Sequence, residues 1–157
     1  MERKESDVHR SKRLRRLARV WAGQDRYFLT FCVDDRRPAL VCVEVQDRVR
    51  RFISDSLNRY GVWVDPYVLM PDHVHLIVST APDAAVLGEW VKAFKAMAAH
   101  REFKWQPGFF DHVLRSDEST WEKWEYIRMN PVRAGLAEKP EDWPYSGFFD
   151  PRTGREM

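Results

Sequence analysis

Two apolar, β-branched runs, Val62 to Leu69 and His73 to Val78, are parted only by Met70-Pro71-Asp72. A connection this short leaves no room for a crossover, so the two strands must pair antiparallel as a hairpin. In the second run, side chains two apart share a face. Val74, Leu76 and Val78 therefore turn to one side, and His73 and His75 to the other. The reading is a sheet with one apolar face packed inside and one face left open, on which two imidazoles stand side by side.

The remaining elements fall around this hairpin. Tyr27 to Val33, rich in aromatic and β-branched residues, reads as a strand, and Asp34 to Pro38 as a turn. Val45, Val49, Phe52, Ile53 and Leu57 have helical spacing, with Gly61 placed as a C-cap. Leu87, Trp90, Val91, Phe94, Met97 and Ala98 form the stripe of a second helix. Phe109 to Leu114 reads as a fourth strand. Ser116 or Asp117 can cap a third helix that runs to about Asn130, where Pro131 stops or bends it. The tail from Pro140, rich in Pro, Gly and aromatics, is expected to wrap the surface. The order strand, helix, strand, strand, helix, strand predicts an α+β, ferredoxin-like (RRM-like) fold. Its four-stranded antiparallel sheet would carry two helices on one face, with an additional C-terminal helix. The expected organisation is a basic arm at residues 1–22, one domain at 23–147 and a tail at 148–157.

Composition narrows the classes. A chain of 157 residues, 44% hydrophobic, fits one domain with a core. The net charge of +2 says little about partners, but its distribution says more. Arg3, Lys4, Arg10, Lys12, Arg13, Arg15, Arg16 and Arg19 face only Glu2, Glu5 and Asp7, an arm suited to a phosphate backbone or simply to solvent. Cys32 and Cys42 form no CxxC pair and read as reduced thiols in apolar surroundings, which points to the cytoplasm. No apolar stretch approaches the roughly 18 residues of a membrane span, and no secretory signal core is present.

His73 and His75 can converge on one cation, because their Cα atoms in a strand lie roughly 6.6–7 Å apart. Two ordinary exposed histidines remain the other reading of that pattern. Asp72 could add a carboxylate, or serve only in the turn. Tyr126 and Asn130, four apart on the third helix, share a face. A phenol of ordinary pKa about 10 needs a nearby cation to act as a nucleophile on a phosphate. Asn130 offers an amide oxygen as a third, neutral ligand. A core tyrosine ahead of a helix-ending Asn-Pro is the alternative.

The stretch Tyr67-Val68-Leu69-Met70-Pro71-Asp72-His73-Val74-His75-Leu76-Ile77-Val78 resembles the HUH motif of single-tyrosine transposases, in which U is a large apolar residue. Tyr126-Ile127-Arg128-Met129-Asn130-Pro131-Val132-Arg133-Ala134-Gly135-Leu136 resembles the segment that holds their nucleophile. Trp105 to Arg115 and Pro140 to Ser146 look like flanking segments of the REP-associated tyrosine transposases, relatives of the insertion-sequence transposases. The resemblance runs from about Tyr27 to Ser146. It implies that Tyr126 attacks a phosphate of single-stranded DNA, leaving a 5′-phosphotyrosine link and a 3′-hydroxyl. It also implies that His73, His75 and Asn130 hold Mg²⁺ or Mn²⁺. The insertion-sequence relatives carry Gln where this chain has Asn130, a side chain one methylene longer.

The resemblance further implies single-stranded or hairpin DNA as the partner, and a monomer. Lys92, Lys95, Arg115, Arg128 and Arg133 are candidate DNA contacts alongside the arm. His112, Glu122 and Glu125 lie near the motifs without an assigned role. Two rival readings stand beside the enzyme. One is an RRM-like binding module without chemistry, which would use exposed sheet aromatics such as Trp63 and Tyr67. The other is a metal-dependent hydrolase in which water attacks.

Overall fold

The hairpin read from residues 62–78 lies in the interior of the sheet. The computed structural model describes residues 26–81, 83 and 86–148. The basic arm at residues 1–22 and all but the first residue of the 148–157 tail lie outside the described residues. β1 (Arg26–Cys32), β2 (Val62–Leu69), β3 (His73–Thr80), β4 (Phe110–Leu114) and β5 (Ser146–Gly147) form one sheet in the order β4-β1-β3-β2-β5. Every pairing is antiparallel. The first four strands have the ferredoxin-like arrangement, with α1 (Val43–Tyr60) and α2 (Leu87–Met97) as crossovers and α3 (Asp117–Arg133) as the additional helix.

The two sheet faces have unequal cores. α1 buries Val45, Val49 and Ile53, and α2 buries Leu87, Trp90, Val91 and Phe94. Both pack against Leu29, Phe31, Val74, Leu76 and Val78 in the larger core. Each such fully buried side chain contributes roughly 1.5–3 kcal/mol. Trp90 Nε1 donates to Ser56 Oγ at 2.7 Å, so the one polar edge of that ring is satisfied between the helices. Gly61, at φ 68°, ends α1 as read from sequence. Leu57, placed on the buried stripe by spacing, is 45% exposed.

The histidine face is not left open, as the alternation alone implied. α3 covers part of it, and Ile127 joins Val68, Met70, Ile77 and Leu114 in a second, smaller core edged by Phe28, Trp124 and Trp143. Ser116 caps α3 by accepting from the Ser119 backbone N–H at 3.0 Å. The helix passes through Pro131 and ends at Arg133, beyond the expected stop. A proline here removes only one hydrogen bond in the last turn. The end is then closed by Gly135 N–H donating to Val132 O at 3.0 Å and Leu136 N–H to Pro131 O at 2.9 Å, with Gly135 at φ 73°.

Part of the expected surface tail is a sheet edge. Tyr145 O accepts from Leu69 N–H at 2.7 Å, Trp143 Nε1 donates to Leu69 O at 3.0 Å, and Ser146 and Gly147 pair with Val68 and Tyr67. Gly147 is required there, because a Cβ would lie 2.2 Å from Tyr67 Cε1. The β2–β3 register shifts between Val64 and Tyr67, around Pro66. Parity therefore changes along β2: Val64, Tyr67 and Leu69 all enter the larger core. Tyr67 is fully buried and offers no aromatic surface to a ligand, whereas Trp63 is half-buried against the same core.

Candidate active site

Alternation along β3 sets His73 and His75 on the α3 side, with ring centroids 4.6 Å apart. His75 is paired in register with Thr30 on β1, and Thr30 Oγ1 lies 2.8 Å from His75 Nδ1. His73 Nδ1 donates to Asp72 Oδ1 at 2.7 Å, and Arg36 Nε donates to Asp72 Oδ2 at 2.8 Å. A carboxylate can only accept, so a proton of His73 sits on Nδ1, and in the neutral form of the ring Nε2 carries the lone pair. The Thr30 hydroxyl can accept the Nδ1 proton of His75 in the same way. Both imidazoles are thus held through one nitrogen, with the other left for a ligand, as in metal sites whose outer groups orient the histidines.

Electrostatics agree with that assignment. Burial pushes the His75 pKa down to about 3, aided by the charges of His73, Lys123, Arg133 and Arg36. The ring is therefore neutral at ordinary pH. Burial opposes ionisation of Asp72, but the hydrogen bonds from His73 and Arg36 outweigh it and hold the carboxyl below its usual value. Asp72 is more than a turn residue: it anchors His73. Arg36 reaches it from a 3₁₀ turn, Asp34–Arg36, in which Asp35 and Arg36 have φ of 60° and 52°. Two successive non-glycine residues in the left-handed region cost of order 1–3 kcal/mol each. Arg36 offsets part of that with its bonds to Asp72 and to Cys32 Sγ, the latter at 3.1 Å. Cys32 and Cys42 are free thiols, the first buried and the second half-buried.

α3 brings Tyr126 over this pair within a single chain. Its ring centroid is 5.6 Å from that of His75 and 6.0 Å from that of Phe28, which itself stacks on His75 at 5.2 Å. Tyr126 is 40% exposed, accessible to a strand arriving from solvent. Two cations lie against the phenol ring: Arg133 Cζ is 4.3 Å from its centroid and Lys123 Nζ 5.4 Å. Arg133 also donates to the Tyr126 backbone oxygen. Asn130 is buried on the same helix. Among the described residues no group of three His, Cys, Asp or Glu could hold a metal.

The other sequence candidates are scattered. Arg128 is paired with Glu141 at 2.7 Å and Glu125 at 3.7 Å. Lys95 donates to the backbone oxygens of Gln106, at 2.9 Å, and Gly108. Lys92 is exposed on α2, and both lysines lie on the opposite side of the sheet from the histidines. Arg115 and Glu122 are exposed, and His112 is exposed opposite Phe28. Thr30, Arg36 and Lys123 escaped the sequence reading. Lys123, three residues before Tyr126, is detectable by helical spacing. Thr30 and Arg36 carry no local signal.

Residues 23–128 match the family model described as Transposase IS200 like, a span that includes His73, His75 and Tyr126. The chain belongs to the IS200-like transposase family. This transposase is 27% identical over 125 residues to the REP-associated tyrosine transposase of Escherichia coli (strain K12), covering 78% of this chain and 75% of the relative. It is 38% identical over 85 residues to the ISDra2 transposase TnpA of Deinococcus radiodurans, covering 54% of this chain and 59% of that protein. A solved structure of a REP-associated tyrosine transposase bound to a REP hairpin has a TM-score of 0.68 at 24% identity, covering 78% of this chain and 76% of that one, and shares the fold. The resemblance to REP-associated tyrosine transposases read from the motifs is borne out, and this transposase is an enzyme of a DNA-cutting and strand-joining class.

Proposed function

We propose that this transposase is a metal-dependent single-stranded DNA endonuclease and strand transferase, acting through a 5′-phosphotyrosine on hairpin-flanked sites. The observation that carries the reading is the 5.6 Å approach of the Tyr126 ring to a histidine pair whose Nδ1 atoms are both engaged. His73, His75 and Asn130 hold Mg²⁺ or Mn²⁺. Such an ion, when bound, draws charge from a DNA phosphate and stabilises the charge that develops on it. The Tyr126 Oη forms a bond to phosphorus as the bond from phosphorus to the 3′ oxygen breaks. The phenol proton is lost and the 3′ oxygen gains one, so charge and atoms balance. The phosphodiester energy stays in the phosphotyrosine, and a 3′-hydroxyl can reverse the step without a nucleotide cofactor. Lys123 and Arg133, beside the phenol, neutralise neighbouring phosphates.

Hairpin DNA as the partner follows the E. coli relative's description as REP-associated and the hairpin-bound relative. The histidines and Tyr126 meet within one chain, which favours a monomer. Among the described residues no helix is long and apolar enough to cross a membrane, and we place the enzyme with its DNA in the cytoplasm. The test is incubation with Mn²⁺ and a pool of single-stranded hairpin oligonucleotides, followed by a denaturing gel. The wild type should give a protein–DNA adduct, and Tyr126→Phe should give none while binding DNA equally well. Cleavage that survives Tyr126→Phe would transfer the attack to water.

A further inference from the structure

Among the described residues, the cation nearest the Tyr126 ring comes from its own helix. Arg133, seven residues farther along α3, has Cζ 4.3 Å from the ring centroid and donates from Nη2 to the Tyr126 backbone oxygen. Seven residues make nearly two full turns, and helical side chains lean toward the N-terminus. A long side chain at 133 therefore comes to lie over the face that carries Tyr126. One guanidinium grips the same residue twice, at the main chain and at the ring.

Pro131 stands between the two. It has no N–H to give to Ile127 O, so the helix ladder lacks a rung where its last turn joins the turn of Tyr126. The Arg133 bond spans that gap. The other neighbours of the phenol ring are farther off: Lys123 Nζ at 5.4 Å, and His75 and Phe28 at 5.6 and 6.0 Å, both met edge to face. A helical tyrosine has two χ1 wells open to it, and a change of well would swing the ring off His75. A guanidinium attracted to the π-cloud and bonded to the same residue's carbonyl opposes that swing.

We infer that Arg133 is a positioning residue for the cleavage step: gripping the ring and the main chain of Tyr126 across Pro131, it holds the phenol in the rotamer that faces the histidine pair. The inference rests on the reading of Tyr126 as nucleophile. Attack demands near-perfect placement, and a misplacement of about 1 Å can cost about 100-fold in rate. The grip therefore acts on the rate of bond formation and leaves DNA affinity alone. Lysine cannot substitute, because a point charge has no planar fork to reach the carbonyl and cover the ring together.

The test compares the full chain with its Arg133→Lys variant, which keeps the charge. Adduct formation is timed at saturating hairpin oligonucleotide with Mn²⁺, and DNA affinity is titrated separately. The saturated rate should fall about 10- to 100-fold, and the affinity should stay within about twofold. Ring-¹³C tyrosine spectra of the metal-free protein, with the Tyr126 signal assigned by its loss in Tyr126→Phe, should show that signal displaced. Gly135→Ala strains the same helix end, at φ 73°, and has no part in the grip. It should leave rate and signal near parental, and melting curves confirm that both variants fold. A parental rate in Arg133→Lys, an unmoved signal, a loss confined to affinity, or an equal loss in Gly135→Ala would each overturn the inference. A wild-type adduct with no Arg133 effect retires the grip alone. A displaced ring signal with no wild-type adduct retires the nucleophile alone.

Discussion

Replacing Thr30 by Val tests the assignment of the two imidazole nitrogens. Valine has nearly the shape of threonine, so the β1–β3 packing is kept and only the oxygen 2.8 Å from His75 Nδ1 is lost. His75 is 7% exposed, and water cannot readily replace that partner. An unsatisfied buried polar group costs about 1–3 kcal/mol, which for a chain of this size lowers Tm by roughly 2–12 °C. If the ring escapes the penalty by moving its proton to Nε2, the lone pair meant for the ion is lost. Removing such an orienting partner typically weakens metal affinity about 10- to 100-fold, or roughly 1.4–2.8 kcal/mol. Isothermal titration with Mn²⁺, alongside thermal melts of the metal-free protein, reads both quantities. Thr30→Ser, which keeps the hydroxyl, should recover most of the affinity. A folded Thr30→Val protein that binds Mn²⁺ as tightly as its parent would refute the argument.

Gly147→Ala should displace β5, because its Cβ would lie 2.2 Å from the fully buried Tyr67 ring; we expect about 1–3 kcal/mol in urea unfolding, with a changed Trp143 fluorescence. Ser116→Ala removes the α3 cap and should cost about 1 kcal/mol by the same assay, without changing Mn²⁺ affinity in the folded protein. Folded His75 titrates near 3 and the unfolded imidazole near 6.5. The unfolded chain therefore takes up the proton first, and the stability this ring contributes is whole above about pH 6.5 and drains as pH falls toward 3. Metal-free protein should lose several kcal/mol over that window, and His75→Asn should flatten the curve; an unchanged slope in the variant would count against a buried neutral ring.

The hairpin and its two faces were legible because strand periodicity is strict and three residues cannot build a crossover. The α1 and α2 stripes were legible for the same local reason, apart from Leu57, since spacing does not reveal how far the neighbouring sheet extends. β5 was not: Ser146 and Gly147 carry no strand pattern, and their place depends on a fit against Tyr67, distant in sequence. The helical register gave Tyr126 and Asn130 a common face, but only the family resemblance joined Tyr126 to the histidines. Thr30 and Arg36 reach the site across 45 and 36 residues of chain, a distance over which periodicity says nothing. Tyr67, offered as a sheet-surface aromatic, is buried because the register shift before it breaks simple alternation.

The inequality of the two cores separates the halves of the site by stiffness. The histidines belong to a strand flanked on both sides and backed by two helices, whereas Tyr126 rides on a helix fastened mainly through Ile127 and its few apolar neighbours. Elements with less apolar anchorage open at lower free energy than the whole domain. Amide protons of α3 should accordingly exchange sooner than those of β3. On the proposed mechanism, an arm that loosens while its anvil stays fixed would give a covalently held DNA end a way to travel from the place where it was severed to the place where it is sealed.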